Sequence, residues 1–276
     1  MRVHHLNAGS MTPLSAYLVN GQGSLFKRAR LVCHILLIEL RDGLMLVDTG
    51  LGLNDIAHKS ALPSAFLKSA APRLDPSETA IEQIRALRLA PDDVHHIVMT
   101  HLDLDHAGGL ADFPKARVHL HRSEYQAAIT GEIPAKPGRY RKHQWQHAPR
   151  WTLYDCFDDV WLGLPSARVN IGGEPDVRLV PLSGHTPGHS GVVVKTERGW
   201  LLHAGDSYYF RGQIMTPPQR TPLALEFFKR MADTDRGMRI ISERRVRELR
   251  TVADLTIFCS HDPVEFERFS TASPTE

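Results

Sequence analysis

Cysteines are few in this sequence, and they lie far apart. Cys33, Cys156 and Cys259 are the only three, and no C-x-x-C pair occurs. Their spacing argues against a zinc ribbon, a dithiol redox motif and a disulfide framework, and it fits a reducing compartment. The chain also lacks an apolar run near the about 18 residues that a membrane span needs. Its first residues, MRVHHLNAGSMTPL, lack the basic start and apolar stretch of a secretory leader. We therefore expect a cytoplasmic protein without a membrane partner.

Neither sign of charge dominates the chain. Lysine and arginine total 33 and aspartate and glutamate total 31, so nothing predicts a nucleic-acid partner. Hydrophobic residues make up 42% and charged residues 23% of the 276 residues, which is typical of a globular protein. We predict one domain over residues 1–276 with a disordered tail after about residue 269.

Periodicity is lost between residues 131 and 175. This segment is rich in proline, glycine and basic residues, and it carries Trp145, Trp151 and Trp161. A long irregular insertion inside a domain is usually functional or disordered, and the tryptophans favour an ordered cap or an interaction surface. The insertion is expected either to cover a site or to join two subunits as a homodimer.

Histidine is abundant, with 16 copies, and it is the commonest metal ligand in proteins. The densest group is His101-Leu-Asp103-Leu-Asp105-His106, with four potential ligands in six residues directly after the strand-like residues 95–100. A solvated acidic loop would account for the aspartates but has no need of flanking histidines. The pattern therefore predicts a metal site on a loop at the carboxyl end of a strand.

Three more segments place a histidine or aspartate just after β-forming residues. They are VPLSGHTPGH (180–189), WLLHAGD (200–206) and TIFCSHD (256–262). A fourth, LMLVDTG, ends a hairpin whose turn contains Asp42-Gly43 and places Asp48 at another strand end. Strand ends that point the same way converge on one face, so we expect these side chains to meet. Asp48 is expected to orient the ligands by hydrogen bonding.

Together these motifs resemble the metallo-β-lactamase superfamily, whose signature is H-x-H-x-D-H, then a histidine in G-H-T-x-G-H, then an aspartate and a final histidine. The resemblance extends over about residues 31–262. It implies an α/β protein with the αββα four-layer sandwich of that family. It also implies a metal-dependent hydrolase that holds two divalent cations.

Carried over residue by residue, the resemblance implies that one cation is held by His101, Asp103 and His185, the other by Asp105, His106 and His261, and that Asp206 bridges them. Asp103 departs from the family, which has a histidine there. A carboxylate also ligates zinc, and it moves the preference toward manganese or iron(II). The alternative is a weakened or empty first site that leaves a single metal.

The resemblance also implies a mechanism, in which a hydroxide shared between the cations attacks a carbonyl carbon. Asp105 would then carry a proton to the leaving group. Residues 101–110 and the position of Tyr209, three residues after Asp206, are most similar to the N-acyl homoserine lactonases. A tyrosine at that offset contacts the substrate in those enzymes, and Tyr208 is the alternative for the inward-facing side chain.

We therefore predict a hydrolase that opens a lactone, such as an N-acyl homoserine lactone in quorum quenching, or cleaves a related ester of a small molecule. A thioesterase of the glyoxalase II type is the alternative within the same fold. A different class of function is a non-catalytic protein that binds a metabolite. In that case Asp103, in place of the family's histidine, would be the first change in the loss of the catalytic site.

Overall fold

The computed structural model describes residues 1–173 and 175–270 and contains two six-stranded sheets. The strands are β1 Val3–Met11, β2 Leu31–Glu39, β3 Leu44–Val47, β4 Val94–Val98, β5 Arg117–His121, β6 Arg150–Tyr154, β7 Asp159–Trp161, β8 Leu164–Arg168, β9 Val177–Pro181, β10 Ser190–Thr196, β11 Gly199–His203 and β12 Leu255–Phe258. The α-helices are α1 Ala16–Asn20, α2 Leu53–Ala57, α3 Ser64–Ser69, α4 Ala80–Ala86, α5 Leu104–Ala107, α6 Arg122–Tyr125, α7 Leu223–Ala232, α8 Arg236–Leu249 and α9 Pro263–Ser270.

Both sheets mix parallel and antiparallel pairs. The first has the order β1-β2-β3-β4-β5-β6. Its first two strand pairs, β1-β2 and β2-β3, are antiparallel, and the three pairs from β3 to β6 are parallel. The second has the order β12-β11-β10-β9-β8-β7, with β11 and β12 parallel and the other pairs antiparallel. Long connections between the parallel strands leave room for the helices.

The central strands are buried on both faces, which explains their unbroken apolar sequences. In β2, Leu36 and Ile38 lie in the core between the two sheets, whereas Ile35 and Leu37 lie in the core on the outer face of the first sheet. In β10, Val193 likewise faces the outer core of the second sheet. Successive side chains of a strand point to opposite faces, so a continuous apolar run fills two cores at once.

Helices complete the outer layers on both sides. Ile81 and Ile84 of α4 pack on the first sheet, and Val246 and Leu249 of α8 pack on the second. The predicted αββα four-layer sandwich is therefore confirmed. We propose that the described residues form one domain, because both sheets contribute to the core that lies between them.

The predicted irregular insertion at residues 131–175 is regular in its second half, and this corrects the sequence-based expectation. Residues 150–168 contain β6, β7 and β8, which form the last strands of both sheets. These strands have 5, 3 and 5 residues and many exposed or half-buried positions. Short edge strands of this kind carry little of the alternation that predicts a strand. Residues 131–149 have no strand and only one short 3-10 helix.

Further expectations concern membrane-spanning segments, localisation and the C-terminal tail. None of the helices in the described part of the chain is long and apolar enough to cross a membrane. Cytoplasmic localisation stays a prediction. The predicted disordered tail lies outside the described residues, apart from Ser270, which ends α9.

α9 buries an ionisable side chain, Glu265, against the second sheet. Its carboxylate accepts hydrogen bonds from the hydroxyl of Tyr208 (3.0 Å to each oxygen) and from the backbone N–H of Cys259 (2.9 Å). Burial, together with the nearby Asp262, raises the pKa of Glu265 from 4.5 to about 7. Because the folded chain holds this proton more tightly than the unfolded chain, the stabilisation is full below about pH 4.5 and is lost as the pH rises through 7.

We expect Glu265→Gln to flatten the pH dependence of stability. The free energy of unfolding of the unchanged protein should fall by up to roughly 3 kcal/mol more than that of the variant between pH 5 and pH 8. Urea unfolding at several pH values measures this difference. Glu248→Gln, an exposed side chain on α8, is the control. Parallel curves for the unchanged protein and Glu265→Gln would contradict the prediction.

Candidate metal centre

The loops that carry the predicted ligands meet at one edge of the sandwich. β4 leads to residues 101–106, β9 to the loop 182–189, β11 to Asp206 and β12 to His261. In the first sheet β3 and β4 are parallel, and in the second sheet β9, β11 and β12 run the same way because β10 is antiparallel to both of its neighbours. The carboxyl ends of these strands therefore point to a shared edge.

Four atoms form what we call the first cage: Nε2 of His101, Oδ2 of Asp103, Nε2 of His185 and Oδ2 of Asp206. Oδ2 of Asp103 lies 3.5 Å from Nε2 of His101 and 2.9 Å from Nε2 of His185. Oδ2 of Asp206 lies 3.9 Å and 3.4 Å from the same two nitrogens. Four ligands around one cation at about 2.0–2.2 Å stand roughly 3.3–3.6 Å apart, so the cage has the size of a tetrahedral site.

A second cage lies on the other side of Asp206. It consists of Nε2 of His106, Nε2 of His261, Oδ2 of Asp105 and the other oxygen of Asp206. Oδ1 of Asp206 lies 3.4 Å from Nε2 of His106 and 3.2 Å from Nε2 of His261. Oδ2 of Asp105 lies 3.7 Å from Nε2 of His261. The seven predicted ligands are thus all brought together, with one oxygen of Asp206 turned to each cage.

Several cage atoms are buried and have no hydrogen-bond partner. They include Nε2 of His101, Nε2 of His106 and Oδ1 of Asp206. Burying polar atoms without a partner is costly, and one cation in each cage would satisfy these atoms. The nitrogen and oxygen donors are those that zinc, manganese and iron(II) accept. The residues present therefore fit two divalent cations.

The electrostatics of the cages follow from packing acids against imidazoles. Burial alone would raise the pKa of Asp206, but His261 and His106 lower it well below its usual range. Burial would lower the pKa of His106, yet Asp206 and Asp48 raise it well above its usual range. The carboxylate between the cages thus stays ionised, which is the form that binds a cation.

Asp48 orients a ligand from behind, as the sequence predicts. Its Oδ2 lies 2.8 Å from Nδ1 of His106, the ring nitrogen opposite the second cage. Thr100 donates its backbone N–H to Oδ1 (2.8 Å) and its hydroxyl to Oδ2 (2.7 Å). These bonds fix the ring of His106 with Nε2 turned to the cage.

His189 supports Asp206. Its Nδ1 lies 2.8 Å from the carbonyl oxygen of Leu182, and its Nε2 accepts the backbone N–H of Asp206 at 2.8 Å. Gly205, which precedes Asp206, has a φ of +54°, and a Cβ at this position would lie 2.4 Å from Nε2 of His189. Only glycine fits here, which explains the Gly-Asp pair of the motif.

Tyr209 lies beside the first cage, and its hydroxyl contacts one of the cage histidines. The oxygen is 3.0 Å from Nδ1 of His185, the ring nitrogen opposite the cage, and the residue is 2% exposed. The hydroxyl therefore positions the ring of His185, and the expected contact of Tyr209 with a substrate stays a prediction. Tyr208 points away from the cages and donates to Glu265.

Three residues at the centre carry no clear signal in the sequence. Glu124 is fully buried and joins three segments, since it accepts the backbone N–H groups of Leu102 (3.0 Å) and Gly188 (3.1 Å) and the hydroxyl of Tyr140 (3.0 Å). Cys33 lies on apolar β2, and its sulfur is within 4.8 Å of ligand atoms of Asp105 and His261. The third, Arg139, comes from the segment before β6 and binds both oxygens of Asp103 at 2.6 Å.

His143 belongs to the 131–149 segment and contacts a buried carboxylate outside the two cages. Its Nε2 is 2.9 Å from Oδ1 of the fully buried Asp55, and Gln144 donates to the same carboxylate. This pair anchors residues 142–145 to α2. Its role in this structure is therefore to hold the segment, not to line the cages.

The chain matches the family described as the metallo-beta-lactamase superfamily over residues 28–261. A protein of Mycobacterium tuberculosis named as a "probable metallo-hydrolase" is 36% identical over 265 residues, which cover 95% of this chain and 81% of that protein. An N-acyl homoserine lactonase of Rhizobium radiobacter is 30% identical over 205 residues, 73% of this chain and 70% of that enzyme.

Solved structures give the same picture of the fold. An N-acyl homoserine lactone hydrolase with N-hexanoyl-L-homoserine bound at its catalytic metal centre has a TM-score of 0.74 at 22% identity, with 99% of this chain and 98% of that chain covered. A dizinc quorum-quenching lactonase has a TM-score of 0.59 at 15% identity, with 95% and 87% covered. The predicted resemblance to this fold and to its lactonases is confirmed.

Proposed function

Because the chain belongs to the metallo-β-lactamase superfamily and is a metal-dependent hydrolase, we propose that it opens a lactone ring with two divalent cations held in the two cages. The observation that carries the proposal is the placement of Asp206, which turns one carboxylate oxygen to each pair of histidines at 3.2–3.9 Å. The lactonase relative at 30% identity supports a lactone as the substrate.

The two cages supply the donor atoms that such chemistry needs. Two divalent cations bound there would lower the pKa of a shared water and polarise the carbonyl of the substrate. We propose zinc as the resident metal, with manganese or iron(II) as the alternatives that the carboxylate of Asp103 favours. Asp206 and the four cage histidines are nearly or fully buried, so they hold their positions without reorganising around each substrate.

Lactone opening requires one proton transfer, and we assign it to Asp105. The oxygen of a water forms the new bond to the carbonyl carbon, the ring C–O bond breaks, and a proton from that water must reach the departing ring oxygen. The side chain of Asp105 is 17% exposed, whereas that of Asp206 is 5% exposed, and its Oδ2 lies 3.7 Å from Nε2 of His261. It thus lies at the border between the second cage and solvent, where it can take and give that proton.

An apolar surface beside the first cage supports a substrate with an acyl chain. Phe228 of α7 packs edge-on against Tyr209, with ring centroids 5.5 Å apart. Four apolar residues along this helix are at least half exposed: Leu223, Phe227, Phe228 and Met231. Exposed apolar groups of this size next to a polar centre are typical of a binding groove.

A substrate panel tests the proposal. The protein loaded with zinc or manganese is assayed with N-acyl homoserine lactones of short and long acyl chains and with S-lactoylglutathione. We expect lactone turnover with a kcat/KM at least 100-fold above that for the thioester. Lactones left intact while two cations are bound would overturn the proposal. Turnover of the thioester alone would mean that the protein is a thioesterase of the glyoxalase II type. Absence of both metal binding and turnover would favour the non-catalytic, metabolite-binding alternative.

Asp105→Asn should lower the rate of lactone turnover, normalised to the bound metal, by about 10²–10⁴-fold. The reason is that the amide cannot carry the proton to the leaving oxygen. A thiolactone provides the internal control, since a thiolate leaves with less help from an acid. We therefore expect a much smaller loss with homocysteine thiolactone than with homoserine lactone. Steady-state rates with both substrates, normalised to metal content, measure the effect. Equal losses with the two substrates would remove Asp105 from the proton-transfer step.

A further inference from the structure

Arg139 brings a positive charge of the protein itself against the first cage. Its side chain is 7% exposed, and its Nε and Nη2 each lie 2.6 Å from one oxygen of Asp103. Nη2 also lies 2.7 Å from Nε2 of His185. The remaining nitrogen, Nη1, donates to the carbonyl oxygen of Ala232 at 2.5 Å. The guanidinium is therefore held in place by both the cage and the last residue of α7.

Two of the four atoms of the first cage thus face Arg139. Nε2 of an imidazole has a single lone pair, so it cannot accept an N–H from Arg139 and bind a cation at the same time. Oδ2 of Asp103 has further lone pairs and can keep its bond to the guanidinium. A cation that enters the first cage must therefore displace Nη2 from His185, while the contact of Nε with Oδ1 of Asp103 can remain.

No comparable group meets the second cage in the described part of the chain. Nε2 of His106 has no hydrogen-bond partner. The groups around it at the second cage are the carboxylates of Asp206 and Asp105, the imidazole of His261 and the thiol of Cys33. A cation there meets carboxylates without a neighbouring guanidinium or ammonium group among the described residues. The two cages share Asp206 but differ in the charge that faces them, so they should differ in affinity.

We propose that Arg139 makes the two metal sites unequal by competing with the cation for the first cage. The second cage binds the first ion tightly, and the first cage binds a second ion weakly and exchangeably as Nη2 leaves His185. The inference rests on the two-cation assignment of the proposed function but not on the identity of the substrate.

The same contacts connect the first cage to the protein surface. The backbone N–H of Thr234 donates to the carbonyl oxygen of His185 at 3.0 Å, and that of Asp235 donates to Gly184 at 2.8 Å. Arg139 therefore joins the 131–149 segment, the link between α7 and α8, and the His185 loop. Occupation of the first cage and the position of this segment are coupled through one side chain.

Arg139→Gln tests the proposal, with Lys136→Gln as the matched control. Lys136 lies on the same segment and donates to the carbonyl oxygen of Met231, next to the carbonyl that Arg139 binds, but it is not in contact with either cage. Chelator-stripped protein is titrated with Zn²⁺ by isothermal calorimetry, and the bound metal is counted by mass spectrometry after dialysis.

For the unchanged protein we expect two binding events whose Kd values differ by at least 100-fold. Arg139→Gln should tighten the weaker event at least 10-fold and leave the tighter one within about threefold, and Lys136→Gln should change neither. Equal affinities in the unchanged protein, or a weaker event that Arg139→Gln leaves alone or weakens, would overturn the proposal.

Crystals of the unchanged protein grown with one equivalent of Zn²⁺ give a test that does not depend on the folding of a variant. Anomalous density should be strong between His106 and His261 and weak between His101 and His185. The reverse occupancy would contradict the role of Arg139. All these readouts report metal and not turnover, so unequal sites in a chain that leaves lactones intact would refute the proposed substrate and keep this inference.

Discussion

Replacing Asp206 with alanine is expected to abolish retention of both cations and to lower lactone turnover on the order of 10³-fold or more. The reason is that its two oxygens belong to different cages, 3.4 Å from Nε2 of His185 on one side and 3.2 Å from Nε2 of His261 on the other. No other side chain among the described residues lies in both cages. Metal content after dialysis and the rate of ring opening measure the two effects.

Asp176→Ala is the matched control for that substitution. Asp176 is a partly buried carboxylate that pairs with Arg178 at the start of β9, the end of the strand remote from the cages. The control should keep its metal and its activity. Asp206→Ala protein that retained two cations per chain would disprove the bridging role, whatever its activity.

Glu124→Ala should lower the free energy of unfolding by about 3–5 kcal/mol, because it leaves two buried donors and one partly buried donor without an acceptor. The donors are the backbone N–H groups of Leu102 and Gly188 and the hydroxyl of Tyr140. Leu102 lies between two ligands of the first cage, so metal affinity should fall together with stability. Urea unfolding and metal titration of the same preparation check both.

Glu124→Gln gives a graded comparison. The amide can still accept from two of the donors but presents an N–H group to Gly188, so we expect a smaller loss of about 1–3 kcal/mol. Glu132→Ala, an exposed residue on the neighbouring segment, serves as the control. A loss below about 1 kcal/mol for Glu124→Ala would show that the three loops hold together without this carboxylate.

The central strands and most of the metal site follow from local sequence. The apolar run at Leu31–Thr49 with its Asp42-Gly43 turn gives β2 and β3, because a buried strand needs only continuous apolar residues between turn signals. The position of the motifs at strand ends predicts that their side chains meet, since parallel strands bring those ends together, and the resemblance to the family assigns these side chains to two cations.

The parts that local sequence could not predict depend on contacts between distant residues. Arg139 binds Asp103 from 36 positions along the chain, and no spacing rule connects one basic residue of an irregular segment to a ligand loop. In the sequence, Glu124 has no feature that distinguishes it from an exposed helix residue. Its three hydrogen bonds to other segments exist only in the folded chain. The orientation of Tyr209 depends on which nitrogen of His185 faces the cage, and this is decided by the packing of both sheets.

The most direct test of a two-cation centre is anomalous diffraction from crystals of the unchanged protein grown with excess Zn²⁺. Two peaks are predicted on either side of the Asp206 carboxylate, one among His101, Asp103 and His185 and the other among Asp105, His106 and His261. A single peak at excess metal, or peaks away from these residues, would contradict the account.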